Sequence, residues 1–442
     1  MPIVLGVVSI LMVFGLVIGS IQNNLSNPDE LGKTRIFSID SGFILDDKDP
    51  IKVGILHSLS GTMAISETPV VDAILLAIDE INNRGGILGK KVVPVIVDGK
   101  SDWPTFALEA EKLIVEEEVS VVFGGWTSAS RKTMKPVFEK YDHLLFYPVQ
   151  YEGLEQSPNI IYTGAAPNQQ VLPAIDWAKK SLGDTFFLVG SDYVFPRSAN
   201  EIMKEKINEI GGKVLGEEYV LLGDDNFIEV VNLIEQTHPD VILNTINGDS
   251  NLSFFKELRS RGITPDKIPT ISFSIAEDEI RHLGSETMMG DYASWNYFQS
   301  LETDENNKFV DSFKKKFGIH RVTDDPMEAG YIGVYLYAKA VEAAGTDNIK
   351  RVKEELRGLT ISAPEGVVGI DPINQHLSKS VRIGKILSTG QFEIVSSSEE
   401  PIAPIPYPDY KTHAQWDSFL NDLYNGWNQN WANPGVDSKE NL

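Results

Sequence analysis

The chain has 442 residues, 42% hydrophobic and 23% charged, enough for two or three domain-sized units with buried cores. Its 63 acidic against 39 basic residues give a formal charge of -24, so a polyanion is repelled and no nucleic-acid partner is expected; solubility is the simplest reading of the excess. Cysteine is absent, which excludes disulfides, thiolate metal sites, iron–sulfur clusters and a cysteine nucleophile, and the seven histidines show no metal-ligand spacing.

Residues 3–19 form one uncharged apolar run, longer than a signal-peptide core of about 7–15 residues and slightly short of the roughly 20 of a comfortable membrane span. Core helices seldom sit at an extreme N-terminus ahead of a polar linker. Residues 1–20 therefore read as an uncleaved membrane anchor or an atypical signal segment, and 21–50, rich in Asn, Ser and Asp, as a tether.

From Ile51 onward, short apolar runs alternate with helical patterns. Strands are expected at 51–59, 91–98, 119–125, 143–149, 185–192, 240–246 and 268–273, each brief and β-branched or aromatic. In the first helix Val70, Ile74, Ala77, Ile78 and Ile81 share a face, Pro69 suits a first turn and Gly85–Gly86 supplies the stop. Further helices are expected near 104–117, 130–141, 169–182, 197–210, 226–237, 251–261, 304–317, 327–344 and 348–357. Such alternation implies an α/β fold with parallel, doubly wound sheets, and the number of units exceeds what one open sheet usually carries. Two lobes facing each other at the carboxyl ends of their strands would make a cleft able to close on a small solute.

The strand exits should line that cleft. After 119–125 comes Gly124-Gly125-Trp126-Thr127-Ser128, two glycines for a tight turn and then hydroxyls at a helix N-terminus, which suits a solute oxygen; Thr127 or Ser128 could equally cap that helix. The next exit carries Tyr147-Pro148-Val149-Gln150-Tyr151-Glu152, whose tyrosines offer a flat apolar face and a hydroxyl, or plain core packing. Three more exits hold Ser191-Asp192-Tyr193, Asn247-Gly248-Asp249-Ser250-Asn251 and Ser272-Phe273-Ser274. Five polar–aromatic exits fit a binding cleft better than chance caps do.

Catalytic alternatives fare worse. The glycine-rich run at 83–91 has its leading glycine one residue too close for a phosphate loop, follows a helix instead of opening one, and places Lys91 where a hydroxyl is needed. There is no G-x-S-x-G elbow and no dinucleotide glycine fingerprint after a strand. Paired carboxylates such as Asp324–Asp325 read as solvated charge.

The blocks GGWTSASRK (124–132), FYPVQYEGLEQSPNIIYTGAAPNQQ (146–170) and GSDYVFPRSAN (190–200), supported by NGDSN (247–251) and DPMEAGYIGVYL (325–336), stand in order along the chain. On these the chain resembles the type I periplasmic-binding-protein family, in the branch of urea-binding components of ABC transporters and amide-sensing regulators, from about Ile51 to Tyr410. The resemblance implies two lobes joined by a three-segment hinge, with crossings near Ala165, Ala293 and Ala363. One lobe then holds 51–165 and 293–363, the other 166–292 and 364–410, and 411–442 is a tail. It also implies an extracytoplasmic receptor without enzymatic activity or cofactor. Its partner is an ABC permease if it transports, or a signalling protein if it senses; a branched-chain amino acid is the alternative solute.

Carried over by motif, Thr127 and Ser128 would meet the solute, Tyr147 and Tyr193 would pack on it or hydrogen-bond to it, and Ser274 matches a hydroxyl position of amide sensors. Trp126 and Asp249 are further lining candidates. Val149 and Phe195 match the urea-transport branch where the amide-sensing branch has hydroxyl residues, which favours urea over longer amides. The lipoprotein cysteine of the bacterial transport pattern is missing. In the tail, Trp416, Phe419, Leu423, Trp427 and Trp431 stand at partly helical spacing, suited to packing on a lobe or to docking a partner.

Overall fold

The computed structural model describes residues 46–435 and a two-residue strand, β1 (Arg35–Ile36). The expected anchor or signal segment lies outside the described residues, as do most of the tether and residues 436–442.

In chain order there follow β2 (Asp46–His57), α1 (Ala64–Asn83), β3 (Lys90–Asp98), α2 (Trp103–Val115), β4 (Val121–Gly124), α3 (Ser128–Lys140), β5 (Leu145–Tyr147) and β6 (Ile160–Tyr162). Strands β3-β2-β4-β5-β6 lie side by side in that order, all parallel. Every residue of β4, β5 and β6 is buried, which is why these runs show no alternation of apolar and polar residues.

The chain then builds a second sheet through α4 (Val171–Ser181), β7 (Thr185–Ser191), α5 (Val194–Glu209), β8 (Lys213–Val220), α6 (Ile228–Thr237), β9 (Val241–Thr245), α7 (Ser250–Ser260), β10 (Thr270–Ser272), α8 (Glu277–Leu283) and β11 (Tyr292–Trp295). It returns to the first lobe with α9 (Asp304–Phe317), α10 (Asp325–Ala344) and α11 (Ile349–Leu356), followed by the antiparallel strands β12 (Thr360–Ala363), β13 (Gly366–Ile370) and β14 (Leu377–Ser378). Strands β15 (Arg382–Ile386) and β16 (Phe392–Ser397) close the second sheet, and α12 (His413–Gly426) packs on α5. The second sheet has the order β16-β15-β11-β10-β9-β7-β8. It is parallel from β8 to β11, but β15 and β16 add antiparallel, so the wholly parallel second lobe expected from the alternation gains a mixed edge.

The chain passes between the sheets after β6, after β11 and after β14. Ala293 sits inside β11, and β12 packs on α9 and α10, so the second and third passages follow Trp295 and Ser378 rather than Ala293 and Ala363. One buried side chain ties all three together: Asn296 donates from Nδ2 to Gln169 O (3.0 Å) and to Ser380 O (2.8 Å). Lys379, also buried, donates to Thr163 O (2.8 Å) and pairs with Glu365 (2.9 Å). The hinge is thus a hydrogen-bonded knot and not three loose linkers.

One local expectation fails. Helix α1 begins at Ala64, so Pro69 lies inside the helix and not in its first turn. The extra turn carries Glu67, whose buried carboxylate receives Ser58 N (2.8 Å) and pairs with His57 Nδ1 (2.9 Å). That tertiary partner extends the helix past the boundary local signals suggest.

Candidate functional site

The exits of the first sheet converge as their glycines require. A Cβ on Gly124 would stand 2.1 Å from Leu56 O of the neighbouring strand, and Gly125 has φ +78°, so β4 can run tight against β2 and turn at once into α3. Thr127 is the N-cap of α3: its hydroxyl accepts from Ser130 N at 3.1 Å. Capping is therefore the observed role of that hydroxyl.

Ser128 and Tyr147 are engaged as well. The Ser128 hydroxyl donates to Glu152 and accepts from Arg131 Nη1 (3.0 Å); the Tyr147 hydroxyl donates to Trp126 O. Arg131, fully buried, pairs with Glu152 (3.0 Å) and Glu155 (2.9 Å), and its guanidinium lies 4.8 Å from the Tyr147 ring and 4.3 Å from that of Tyr151. Lys132 adds a second cation at 3.1 Å from Glu155. Burial alone would raise the Glu155 carboxyl; Lys132 and Arg131 outweigh it and hold the group far below the usual carboxylate range. GGWTSASRK and YPVQYEGLE are thus two halves of one buried ion network.

The second sheet contributes neutral groups. Asn247 N donates to the Ser191 hydroxyl (3.1 Å), the Ser274 hydroxyl donates to Ile246 O (2.7 Å), and Tyr193 opens α5 from extended backbone. Burial, with Tyr147 and Glu152 of the first lobe adding to it, pushes the Tyr193 phenol well above its ordinary value, so it is a neutral hydroxyl facing the first-lobe cluster. Ser128 and Tyr193 are each only 1% exposed.

The lobes meet directly. Trp126 Nε1 donates to Asn247 Oδ1 (3.2 Å), Gln150 Nε2 to Phe273 O (2.7 Å), and Ser66 Oγ to Glu279 (2.7 Å). At the rim Thr62 donates to Asp249, which is exposed, so Asp249 lies at the edge of the cleft and is not part of its buried lining. Gly248, at φ +70°, lets its turn approach Thr62 O; a Cβ there would stand 2.9 Å away. At the first-lobe exits three buried polar atoms have no hydrogen-bond partner among the described residues: the side-chain oxygens Glu67 Oε1 and Gln150 Oε1, and His57 Nε2. An unpaired buried acceptor costs on the order of 1–3 kcal/mol, so a solute rich in N–H donors is what the two oxygens suit.

Beside the hinge, Glu277 and Glu279 of the second lobe come close to Asp324 of the first, all three buried. Burial pushes Glu277 up to about 8 and Glu279 up to about 7, and Asp324 well above its ordinary value. Among the described residues no group of three or more His, Cys, Asp or Glu is arranged to hold a metal ion.

A family model described as "Periplasmic binding protein domain" matches residues 51–413. The chain belongs to this family. Among curated relatives, a Leu/Ile/Val-binding protein homolog from Brucella melitensis is 23% identical over 345 residues, 76% of this chain and 88% of that protein. A limonene hydroxylase from Geobacillus stearothermophilus is 37% identical over 124 residues, 28% of this chain, which spans only 23% of that protein's length. The solved structure of an ABC-transporter solute-binding protein from Rhodopseudomonas palustris, in complex with p-hydroxybenzoic acid, is 22% identical, with a TM-score of 0.73 over 81% of this chain and 99% of its own. At that identity the likeness establishes the two-lobed α/β fold.

Within this periplasmic binding protein the structure brings Trp126, Thr127, Ser128, Tyr147, Tyr193 and Ser274 into one buried interlobe region and leaves Asp249 at its edge. Gln150, Glu152 and Asn247 of the same exits join them, as do Glu67 and Arg131, which stand outside the exits. Arg131 and Glu152 carried a signal: charged residues shortly after buried strands are seldom idle. Glu67 carried none, because only folding brings the first turn of α1 against Ser58.

Proposed function

We propose that this periplasmic binding protein is an extracytoplasmic solute receptor that closes on urea, or a short amide, and delivers it unchanged to the permease of an ABC transporter, tethered through its N-terminal apolar run. The observation that carries the reading is the pair of unpartnered buried acceptors, Glu67 Oε1 and Gln150 Oε1, in a cleft whose cation is already spent. Urea presents four N–H donors and one acceptor oxygen on a neutral frame. Carboxylate, amide and phenol oxygens can take the donors, and main-chain N–H groups at α3 or the Tyr193 hydroxyl can serve the oxygen.

An amino acid or an aromatic acid, as bound by relatives, brings a carboxylate that needs compensation. Arg131 is committed to Glu152 and Glu155, and Lys379 to Glu365. This favours a neutral solute. Isothermal titration with urea, acetamide, formamide, leucine and 4-hydroxybenzoate tests it: urea should bind tightest, and preference for leucine or the benzoate would overturn the assignment.

A further inference from the structure

The C-terminal segment does more than pack on a surface. Pro406 O accepts from Leu154 N (2.7 Å) in the first lobe, and the Cβ that Gly153 lacks would stand 2.1 Å from that same oxygen. Lys411 then pairs with Glu201 (3.0 Å) and Glu205 on α5 of the second lobe, and Trp416, wholly buried, donates to Pro408 O (2.9 Å). After α12 the chain comes back to the cleft. Ala432 pairs antiparallel with Tyr193, Val194 N donates to Trp431 O (2.9 Å), and Asn433 N donates to Asp192 O (2.9 Å). The Asn433 side chain donates to Asp192 Oδ2 (2.6 Å), and Lys132 of the first lobe lies 5.1 Å from the Trp431 ring.

We propose that residues 406–433 form a clasp that positions Tyr193 against the cleft and restrains the two lobes in the closed arrangement. The physical reason lies in the Tyr193 turn. Its extended backbone starts α5 without a side-chain cap, and its local support is the Arg197–Asp192 ion pair (2.7 Å) and the bond from Tyr193 N to Ser191 O (2.9 Å). The bond from Val194 N to Trp431 O and the two that Asp192 accepts from Asn433 tie the turn to the returning segment. The clasp touches both lobes, and opening the hinge must strain or release it. Trp431 and Asn433 are positioning residues that act through Tyr193 and the solute's surroundings. This inference rests on the solute-receptor reading only for the ligand used to probe it.

The test compares the full chain with Asn433→Pro, which removes both the main-chain donor to Asp192 and the side-chain amide, and with Trp431→Ala as a milder variant. Urea affinity should fall about tenfold in Asn433→Pro, the scale of losing two or three modest hydrogen bonds. In a Tyr193→Ala background the same substitution should add almost no further loss. Affinity unchanged in both clasp variants, or losses that add in full to Tyr193→Ala, would overturn the clasp.

If the parent chain binds no urea, the urea reading fails and the clasp is judged by closure alone. The absence of native cysteine allows spin labels at Glu116→Cys and Gln236→Cys, exposed positions on the two lobes. A longer or broader interlobe distance in Asn433→Pro supports the clasp, and an identical distribution refutes it.

Discussion

On the first-lobe face of the cleft, Ser128, Tyr147 and Glu152 are fixed by a buried guanidinium; on the second-lobe face, Tyr193, Asn247 and Ser274 are fixed by neutral hydrogen bonds and by the C-terminal segment. The charged face is stiff because moving Arg131 would leave two buried carboxylates with Lys132 as their one remaining cation. The neutral face can yield, since each of its bonds is worth roughly 1 kcal/mol. A binding protein that must release its solute benefits from one rigid wall and one that can be withdrawn.

Breaking the rigid wall should give the largest effect. Arg131→Met leaves the buried Glu152 and Glu155 to share Lys132 alone, at 3.6 and 3.1 Å, and a loss of about 3 kcal/mol is expected in guanidinium chloride unfolding. Replacing Arg131, Lys132, Glu152 and Glu155 together by apolar residues should cost clearly less than Arg131→Met alone, because no orphaned charge remains.

The acids beside the hinge sharpen the comparison through pH. Glu277 and Glu279 hold protons up to about 8 and about 7, against an ordinary 4.5. The folded protein therefore binds more protons than the unfolded chain between those limits, and stability must fall as pH rises through them. Below about pH 6.5 the buried His376, lowered to about 3, acts with the opposite sign. From pH 6.5 to 8 the hinge carboxylates act in the same direction as Asp291, raised to about 7, and His282, also raised, so Glu277→Gln is what singles out the hinge. The melting temperature should drop across that window, and Glu277→Gln should remove up to about 1.4 kcal/mol per pH unit of that slope. A flat profile in the parent protein would refute this account of the hinge.

A smaller effect is expected on the yielding wall. Tyr193→Phe keeps the ring and removes the hydroxyl, so urea affinity should fall about five- to tenfold by titration calorimetry while unfolding shifts by less than about 1 kcal/mol. Asp249→Ala marks the lower end. The residue is exposed at the rim, and both affinity and stability should stay within about 0.5 kcal/mol of the parent.

Much of the framework was readable from local pattern. All seven expected strands and the ten expected helices appear, because buried β-branched runs and amphipathic stretches carry strong periodic signals. The missed strands are those whose signal is weak. β6 has three residues and β11 four, and β8 and β12–β16 are short or only partly buried, so composition hardly sets them apart from loops. Helix α8 was missed because Glu277, Asp278 and Glu279 look like a solvated turn, whereas the fold buries all three.

By itself the chain's order of residues determined the α/β class, the alternation of units and the strand exits that approach one another, since these follow from periodicity and from where parallel strands must end. Only the tertiary structure decided which exit residues are spent on internal bonds: Thr127 on its cap, Ser128 and Tyr147 on the Arg131 network, Asp249 on the rim. Motif and spacing name the groups that can hydrogen-bond, but a side chain's partners come from segments far away in the chain. Glu67 meeting Ser58, Trp126 meeting Asn247 and Tyr193 meeting Ala432 exist only once the sheets have packed.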